Sequence, residues 1–474
     1  MRRNVAWVAA ALFAAHPLAS ESVAYLSSRS EVLASTFYLT AVLAYIVAAT
    51  KPSRLAMATV FFATGAAGLC KEIAATIPLA VALYDWLFLA DADWRRMRRR
   101  WRLIGLAALP VVIGGALLLG RASLSPSGLG SYAATAGLGF DRFTRGQYLM
   151  TQFGVVVYYL RLVVLPVGQT FDYEWALART PFAPGVVLPL LALLGLVYAA
   201  WRLRRRYPLF TFAVGWTLII LAPTSSFMPI ADLAVERRMY LPLAGLMLFA
   251  AAALRDVAAA AVASARGQQV AYGAIVGVLL AVASVLTVLR TELWGQAIEL
   301  HEDGVAKAPD NPRVRLNLGV TYLNAGQTEK AAETLQVAKA LYDRGESVQA
   351  FDRIGAFIHY NLGAVRFTMK QYDAAEPELR RSLELGGQYL ALRPMANMLL
   401  SRIAMWRDDW PAAATHMREA LKYQEVADWR VDLANMQWKA GDAAAARTTL
   451  DQALLMYPGN QRATELRTRI DAGG

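Results

Sequence analysis

Eight apolar runs recur through the first 290 residues, near 32–50, 54–70, 73–90, 103–120, 185–201, 209–228, 239–258 and 270–289. Most approach the roughly 20 residues that a helix needs to cross about 30 Å of hydrocarbon. A series of this kind is a polytopic membrane pattern and not a cleaved signal peptide. A further run, residues 5–15, meets His16-Pro17 after 11 residues. It spans only if it continues past the proline or began upstream of Met1.

Charge divides the chain. Charged residues make up 18% of the whole, against about 25% in an ordinary soluble domain, which excludes disorder and argues against a purely soluble enzyme. Residues 1–290 carry a net charge of +14 and residues 291–474 a net charge of −2. The step predicts two domains, a membrane domain over 1–290 and a soluble domain over 291–474. The dispersed basic excess and the slightly acidic second part speak against nucleic acid as a partner. The single cysteine, Cys70, excludes an intrachain disulfide framework and a multi-cysteine metal site, and its apolar surroundings read as a buried small hydrophobe. With four histidines in the chain, no metal site is expected.

Lys and Arg set the orientation. The strong clusters are Arg2-Arg3, Lys51 with Arg54, residues 95–102 (RRMRRRWR) and residues 202–206 (RLRRR). All four lie in the cytoplasm if the segment near 145–165, which holds Arg145, Gln147, Gln152 and Arg161, lies at the interface without crossing. The chain then starts inside, crosses about nine times, and delivers Arg290 and the soluble domain outside. The basic runs at 94–102 and 202–206 are expected to set topology and touch anionic membrane lipid.

This topology places residues 16–31, Lys71-Glu72, 121–174 and 225–240 on the outer side. Lys71-Glu72 sits between two apolar runs with almost no loop, where charge is costly and often functional. Two readings stand: a functional pair, or a mutual ion pair that orients a tight turn. Glu236-Arg237-Arg238 likewise reads as a headgroup anchor or as a site for an anionic lipid carrier, since guanidinium forks match phosphate.

The second domain repeats internally. Asn317-Leu318-Gly319, Tyr322, Gly326, Ala331, Leu335 and Ala338 fit the 34-residue tetratricopeptide pattern. Asn361-Leu362-Gly363, Tyr372, Ala375, Leu379 and Ser382 form a second copy. Trp410, Ala413, Met417 and Ala420 form a weaker third, and Leu433, Gly441, Ala446, Leu450, Ala453 and Pro458 a fourth. A half repeat over 294–309 (Trp294, Ala297, Gly304, Pro309) and full repeats near 312–345, 356–389, 394–426 and 427–460 are predicted. About ten extra residues near 343–352 separate the first two. Such helix pairs stack into one solenoid, which takes an extended peptide or a partner protein.

Four segments occur in order: HPLASESVAYLSSRSEVLA (16–34), KEIAATIPLAVALYDWLF (71–88), YYLRLVVLPVGQTFDYEW (158–175) and ADLAVERRMYLPLAG (231–245). With the repeats behind them, they resemble the transmembrane and tetratricopeptide-repeat O-mannosyltransferases and their bacterial relatives. The resemblance implies an all-α fold, a polytopic GT-C-like transmembrane bundle followed by a tetratricopeptide-repeat solenoid, in a bacterial inner membrane with the repeats periplasmic. It implies transfer of a sugar from a polyprenyl-phosphate donor to a protein or glycan acceptor, with no cofactor beyond that lipid-linked sugar. A lipid phosphate leaving group needs cationic stabilisation and the acceptor hydroxyl a base within reach. The resemblance points to Arg237, Lys71 and Arg238 for the donor phosphate. It points to His16, Arg29, Glu174, Glu236 and Tyr240 as pocket or supporting residues, and to Glu21, Glu72 and Asp172 as weak catalytic candidates.

The family keeps its key acidic residues in the loop between its first two membrane helices, whereas residues 16–34 resemble the segment at its third. The expectation is that those helices and the acidic loop would precede Met1. Two other functions compete: a non-catalytic membrane scaffold that recruits proteins through its repeats, and a transporter or polymerase partner for lipid-linked sugars. No Gly-rich nucleotide loop is present, which disfavours a nucleotide-sugar donor.

Overall fold

The computed structural model describes residues 3–51, 53–124, 143–226, 228–347, 351–386 and 391–472. Residues 125–142 of the outer stretch 121–174, and residues 348–350 of the expected insertion near 343–352, lie outside these. The described residues are helical almost throughout, and they form two compact units, Met1–Leu300 and His301–Gly474.

In the first unit, helices occupy the apolar runs: α1 (Arg3–Ala15), α2 (Arg29–Thr50), α3 (Arg54–Cys70), α4 (Ile77–Tyr84), α5 (Trp101–Leu124), α6 (Arg145–Val164), α7 (Pro184–Leu203), α8 (Pro208–Leu221), α9 (Tyr240–Ala261) and α10 (Ala265–Gly295). Six stretches are long and apolar enough to cross a membrane by length and composition: Leu26–Thr50, Glu72–Leu89, Trp94–Leu117, Pro184–Leu203, Glu236–Ala261 and Ala265–Gly295. Asn4–Ala15, Arg54–Cys70 and Pro208–Leu221 are shorter apolar helices. The run at 209–228 stays helical only to Leu221, just short of Pro223, whose fixed geometry and missing N–H do not continue a helix. The run ending near 289 continues as helix to Gly295, so that Arg290, the end of the expected membrane domain, lies inside α10 and Trp294 in its last turn.

Two apolar cores hold this unit. One joins Tyr38 and Tyr45 of α2 with Val60 of α3, Ile77 of α4 and Trp216 of α8. The alanines Ala34, Ala41, Ala63 and Ala67 are buried in it, as suits helices that must approach closely where lipid offers no hydrophobic contrast. The other core gathers Leu12, Leu18, Tyr159, Leu162, Met239 and Leu243. Gly245 is required where α8 and α9 cross, because a Cβ there would lie 2.5 Å from the Trp216 ring. Trp216 in turn donates from Nε1 to the Leu241 carbonyl at 3.0 Å. Leu188 and Leu191 of α7 and Val278, Val282 and Val285 of α10 face outward, the surface expected of helices in lipid. Cys70 is half-buried against the first core and not sealed within it.

The second unit is a run of antiparallel helix pairs: α12 and α13 (Pro312–Asn324, Thr328–Arg344), α14 and α15 (Asp352–Thr368, Tyr372–Leu385), α16 and α17 (Leu392–Trp406, Trp410–Leu421), α18 and α19 (Ala427–Lys439, Ala443–Met456). A short helix, α11 (Ala297–Lys307), precedes them in the chain and a last one, α20 (Gln461–Asp471), follows. One device closes each pair. Gly326, Lys370, Asp408 and Gly441 adopt positive φ between 57° and 89°. The next residue's N–H then reaches back five residues, with Gln327 to Tyr322 O, Gln371 to Arg366 O, Asp409 to Ala404 O and Asp442 to Gln437 O all at 2.9 Å. This is the left-handed helix stop that satisfies an orphan carbonyl. Within pairs, Gly319 meets Leu335, and a Cβ there would lie 2.6 Å from the leucine Cγ.

Candidate functional site

Many of the buried polar residues of the first unit gather where four distant segments meet; Asp85 is buried apart from them, paired with Arg100 and Tyr45. His16 begins the gathering. Its Nε2 donates to the Val163 carbonyl at 3.0 Å, and its Nδ1 accepts from Leu18 N at 3.2 Å. A carbonyl can only accept and an amide only donate, so the ring is the neutral Nε2–H form. Through these bonds His16 caps the turn that follows and carries Glu21 inward. Burial pushes the imidazole below its ordinary value, and the Val163 contact opposes this. A folded value below the unfolded one means that the neutral ring stabilises the fold above about pH 6.5, and that this is lost as pH falls. Thermal stability of the wild type is therefore expected to drop on acidification from about pH 7.5 to 5. His16→Asn, which can still cap but cannot titrate there, removes part of that drop; an identical pH profile would show that His16 does not titrate in this way.

Residues 232–240 supply the centre. Helix α6 fixes them with side chains of one face. Tyr159 Oη donates to Val235 O at 2.8 Å and accepts from Val235 N at 2.7 Å, and Gln152 Nε2 donates to Leu233 O at 3.0 Å. Burial pushes the Tyr159 hydroxyl up to about 12, so it remains protonated. With the backbone held, the three charged residues in a row point apart. The Glu236 carboxylate is fully buried and accepts from Gln169 Nε2 (2.5 Å), Thr170 N (3.1 Å), Tyr173 Oη (2.8 Å) and Arg290 Nη2 (3.2 Å). Arg237 donates from Nη1 and from its backbone N to the two oxygens of Glu21, at 2.9 and 3.1 Å, and from Nη2 to Asp232 at 3.2 Å. Arg238 is buried and spends its guanidinium on the carbonyls of Asp232 (2.7 Å) and Leu233 (3.2 Å). Burial pushes the Glu21 carboxyl up, and Arg237 pulls against it. Burial, and after it the Glu236 carboxylate, push the Tyr173 hydroxyl far above its ordinary value and keep it a donor.

Lys71 does not pair with Glu72. Its ammonium reaches the buried Glu31 carboxylate, 40 residues earlier in the chain. The turn reading of a mutual Lys71–Glu72 pair therefore fails. Lys71 opens a short helical turn, and its side chain is drawn back across the helix pair to the start of α2, while Glu72 is left exposed. Neither Glu72 nor the exposed Arg29 has a side-chain hydrogen bond or ion pair among the described residues. Asp172 is buried and Glu174 half-buried in the loop that also carries Gln169 and Tyr173. Tyr240 stands edge-on to Phe13 at 5.2 Å.

The cluster therefore contains Glu21, Glu31, Asp232 and Glu236 opposite Lys71, Arg237, Arg238 and Arg290. Of the four cations, Arg237 and Lys71 are the more open, at 24% and 17% exposure against 7% for the other two. Glu31, Asp232, Gln169, Tyr173 and Arg290 were not singled out as site residues by sequence reasoning. Arg290 carried a signal all the same: a charge ending an apolar run is costly unless it has a partner.

Comparison with known proteins adds four findings. The family model described as "Tetratricopeptide repeat" matches residues 292–351. A protein O-mannosyl-transferase of Caenorhabditis elegans is 23% identical over 348 residues, covering 69% of this chain and 44% of that protein. The protein O-mannosyl-transferase Tmtc3 of Drosophila melanogaster is 26% identical over 424 residues, covering 78% of this chain and 43% of that protein. The chain thus spans less than half the length of these curated relatives. Among solved structures, the tetratricopeptide-repeat protein YrrB is 17% identical with a TM-score of 0.31, covering 39% of this chain and 89% of that one.

Proposed function

We propose that this membrane protein, O-mannosyl-transferase-like and carrying tetratricopeptide repeats, transfers a sugar from a polyprenyl-phosphate donor to a protein or glycan acceptor on the outer face of its membrane, in the manner of a GT-C glycosyltransferase. One observation carries the reading. The four segments through which the chain resembles that family, far apart in sequence, each send polar side chains into one network of ion pairs and hydrogen bonds, while Asp85 of the second segment is buried apart from it against Tyr45 and Arg100. Glu21 from the first meets Arg237 from the fourth, Lys71 from the second meets Glu31 from the first, and Gln169 and Tyr173 from the third meet Glu236.

In this reading Arg237 receives the donor phosphate. Its Glu21 contacts are short and buried, while its Asp232 contact is 3.2 Å and both of those groups are about one quarter exposed. A phosphate displaces Asp232 from one arm of the fork while Glu21 holds the other, and the guanidinium then stabilises charge on the departing lipid phosphate. Lys71 adds a second positive charge. Glu72, exposed and unpaired among the described residues, is free to accept a proton from an acceptor hydroxyl, and Asp172 and Glu174 stand on the loop that faces acceptor or sugar. The repeats present the acceptor protein or a partner. The reconstituted full chain is expected to move mannose from a polyprenyl-phosphate carrier to a serine- and threonine-containing peptide; no transfer to any acceptor would leave the scaffold reading in place. That second reading is favoured by one observation: Arg237, Arg238 and Lys71 all have protein partners already, as in a purely structural network.

The outer placement has its own test. A reporter fused after Gly474 is expected to be active outside the cytoplasm, and a cytoplasmic signal would overturn the topology together with the list of outer residues.

A further inference from the structure

Two apolar cavities, of about 600 and 500 Å³, flank the contact between α8 and α9. Phe210 and Phe249, with ring centroids 5.3 Å apart, and Ala253 line both, so the phenylalanine pair forms a shared wall. The larger cavity extends from His16 and Pro17 down to Val257. The smaller one opens at Arg206, Tyr207, Arg255 and Asp256. Arg206 is exposed, has no ion-pair partner among the described residues, and lies with its guanidinium 5.4 Å from the Tyr207 ring. Arg255 is paired with the exposed Asp256 at 3.1 Å, its one ion pair among the described residues.

We propose that these cavities hold the two hydrocarbon chains of one anionic phospholipid, whose phosphate sits against Arg206 and Arg255. Apolar space open to a bilayer is filled by hydrocarbon, and two cavities divided by one aromatic wall suit two chains joined at one end. The end at which they can join is the rim with two arginines. Guanidinium forks match a phosphate, tyrosine sits at headgroup level, and the basic turn at 202–206 selects a negative headgroup. This lipid is distinct from a donor at Arg237. Arg255 lies 15 residues beyond Tyr240, about 22 Å along the helix, so that one phosphate does not touch both ends.

The test is retention of lipid by the full chain. The protein is reconstituted with equal phosphatidylglycerol and phosphatidylcholine, extracted in mild detergent, and its bound lipid measured by native mass spectrometry. One phosphatidylglycerol per chain is expected to survive. The double variant Arg206→Gln/Arg255→Gln is expected to bind it about thirty-fold more weakly, two arginine contacts at the membrane surface being lost. Ala253→Phe, which fills the shared wall, is expected to abolish retention; Ala253→Ser, similar in size, keeps it and guards against a folding defect. Glu21→Gln/Arg237→Gln, which leaves no buried unpaired charge at the polar cluster, is expected to fold and to retain the lipid. Equal retention of both lipids, displacement by inorganic phosphate alone, or loss of retention in a folded Glu21→Gln/Arg237→Gln protein would each overturn the proposal, the last by assigning the cavities to the donor.

Discussion

Glu236→Ala is expected to be the most damaging single substitution in the membrane unit. The carboxylate is fully buried and is the common acceptor for a side-chain amide, a backbone amide, a phenol and a guanidinium. Alanine removes it and strands Arg290, which is buried and among the described residues keeps the 3.2 Å bond to the Gln169 carbonyl and the more distant charge of Glu21. Breaking a buried ion pair from one side costs about 3–5 kcal/mol, most of it the penalty of the charge left behind. A single unit of this kind sits only about 5–15 kcal/mol above unfolding. The expected outcome is a large fall in thermal stability in detergent. Glu236→Gln, which keeps an acceptor of the same shape, is expected to lose markedly less. Arg290→Met on top of Glu236→Ala removes the stranded charge, so the double variant is expected to be more stable than the alanine single variant. Equal stability of the single and double variants would mean that Arg290 finds water, and that the cluster is open where it is described as closed.

Arg237→Ala is expected to have the largest effect on function. A cationic group placed on the developing charge of a leaving phosphate contributes on the order of 10²–10³ in rate, and sugar transfer should fall by about that much. The substitution also strands Glu21, which is 1% exposed and accepts from both the Arg237 guanidinium and its backbone. A lost fold would mimic lost chemistry. Glu21→Gln/Arg237→Gln separates the two, because it leaves no buried unpaired charge and is expected to restore stability while transfer stays low. Recovery of transfer in that double variant would make Arg237 a structural residue alone.

The two parts of the chain were legible to different degrees, for physical reasons. Repeats write themselves in sequence because each helix pair needs a small residue where the other helix presses closest, as at Gly319 against Leu335 and Gly363 against Leu379. The third repeat was weak because it has neither glycine: buried Ser401 stands where Gly319 and Gly363 do, and Asp408, like Lys370 in the second repeat, takes the left-handed turn, after which Asp409 N still bonds back to the Ala404 carbonyl. Membrane helices were visible as apolar runs, but their ends were not. Composition does not register that Pro223 stops the helix at Leu221, or that an arginine at 290 is carried inside a helix by a carboxylate 54 residues earlier. The candidate site was visible as a set of segments and invisible as a set of pairs. Adjacent opposite charges at Lys71-Glu72 suggested a local bond, whereas the pairing runs from Lys71 to Glu31. Side-chain direction around a turn decides such a choice, and it is settled by packing between helices, not by neighbours in sequence.

The claim that the convergent cluster holds a lipid phosphate is tested most directly by binding, before any turnover. The full chain is titrated with a photoreactive polyprenyl phosphate in nanodiscs, beside the Glu21→Gln/Arg237→Gln variant. Saturable labelling of the wild type that is competed by unlabelled polyprenyl phosphate, and at least tenfold weaker in the variant, is the predicted result. Equal labelling of the two proteins would contradict it and remove Arg237 from the site.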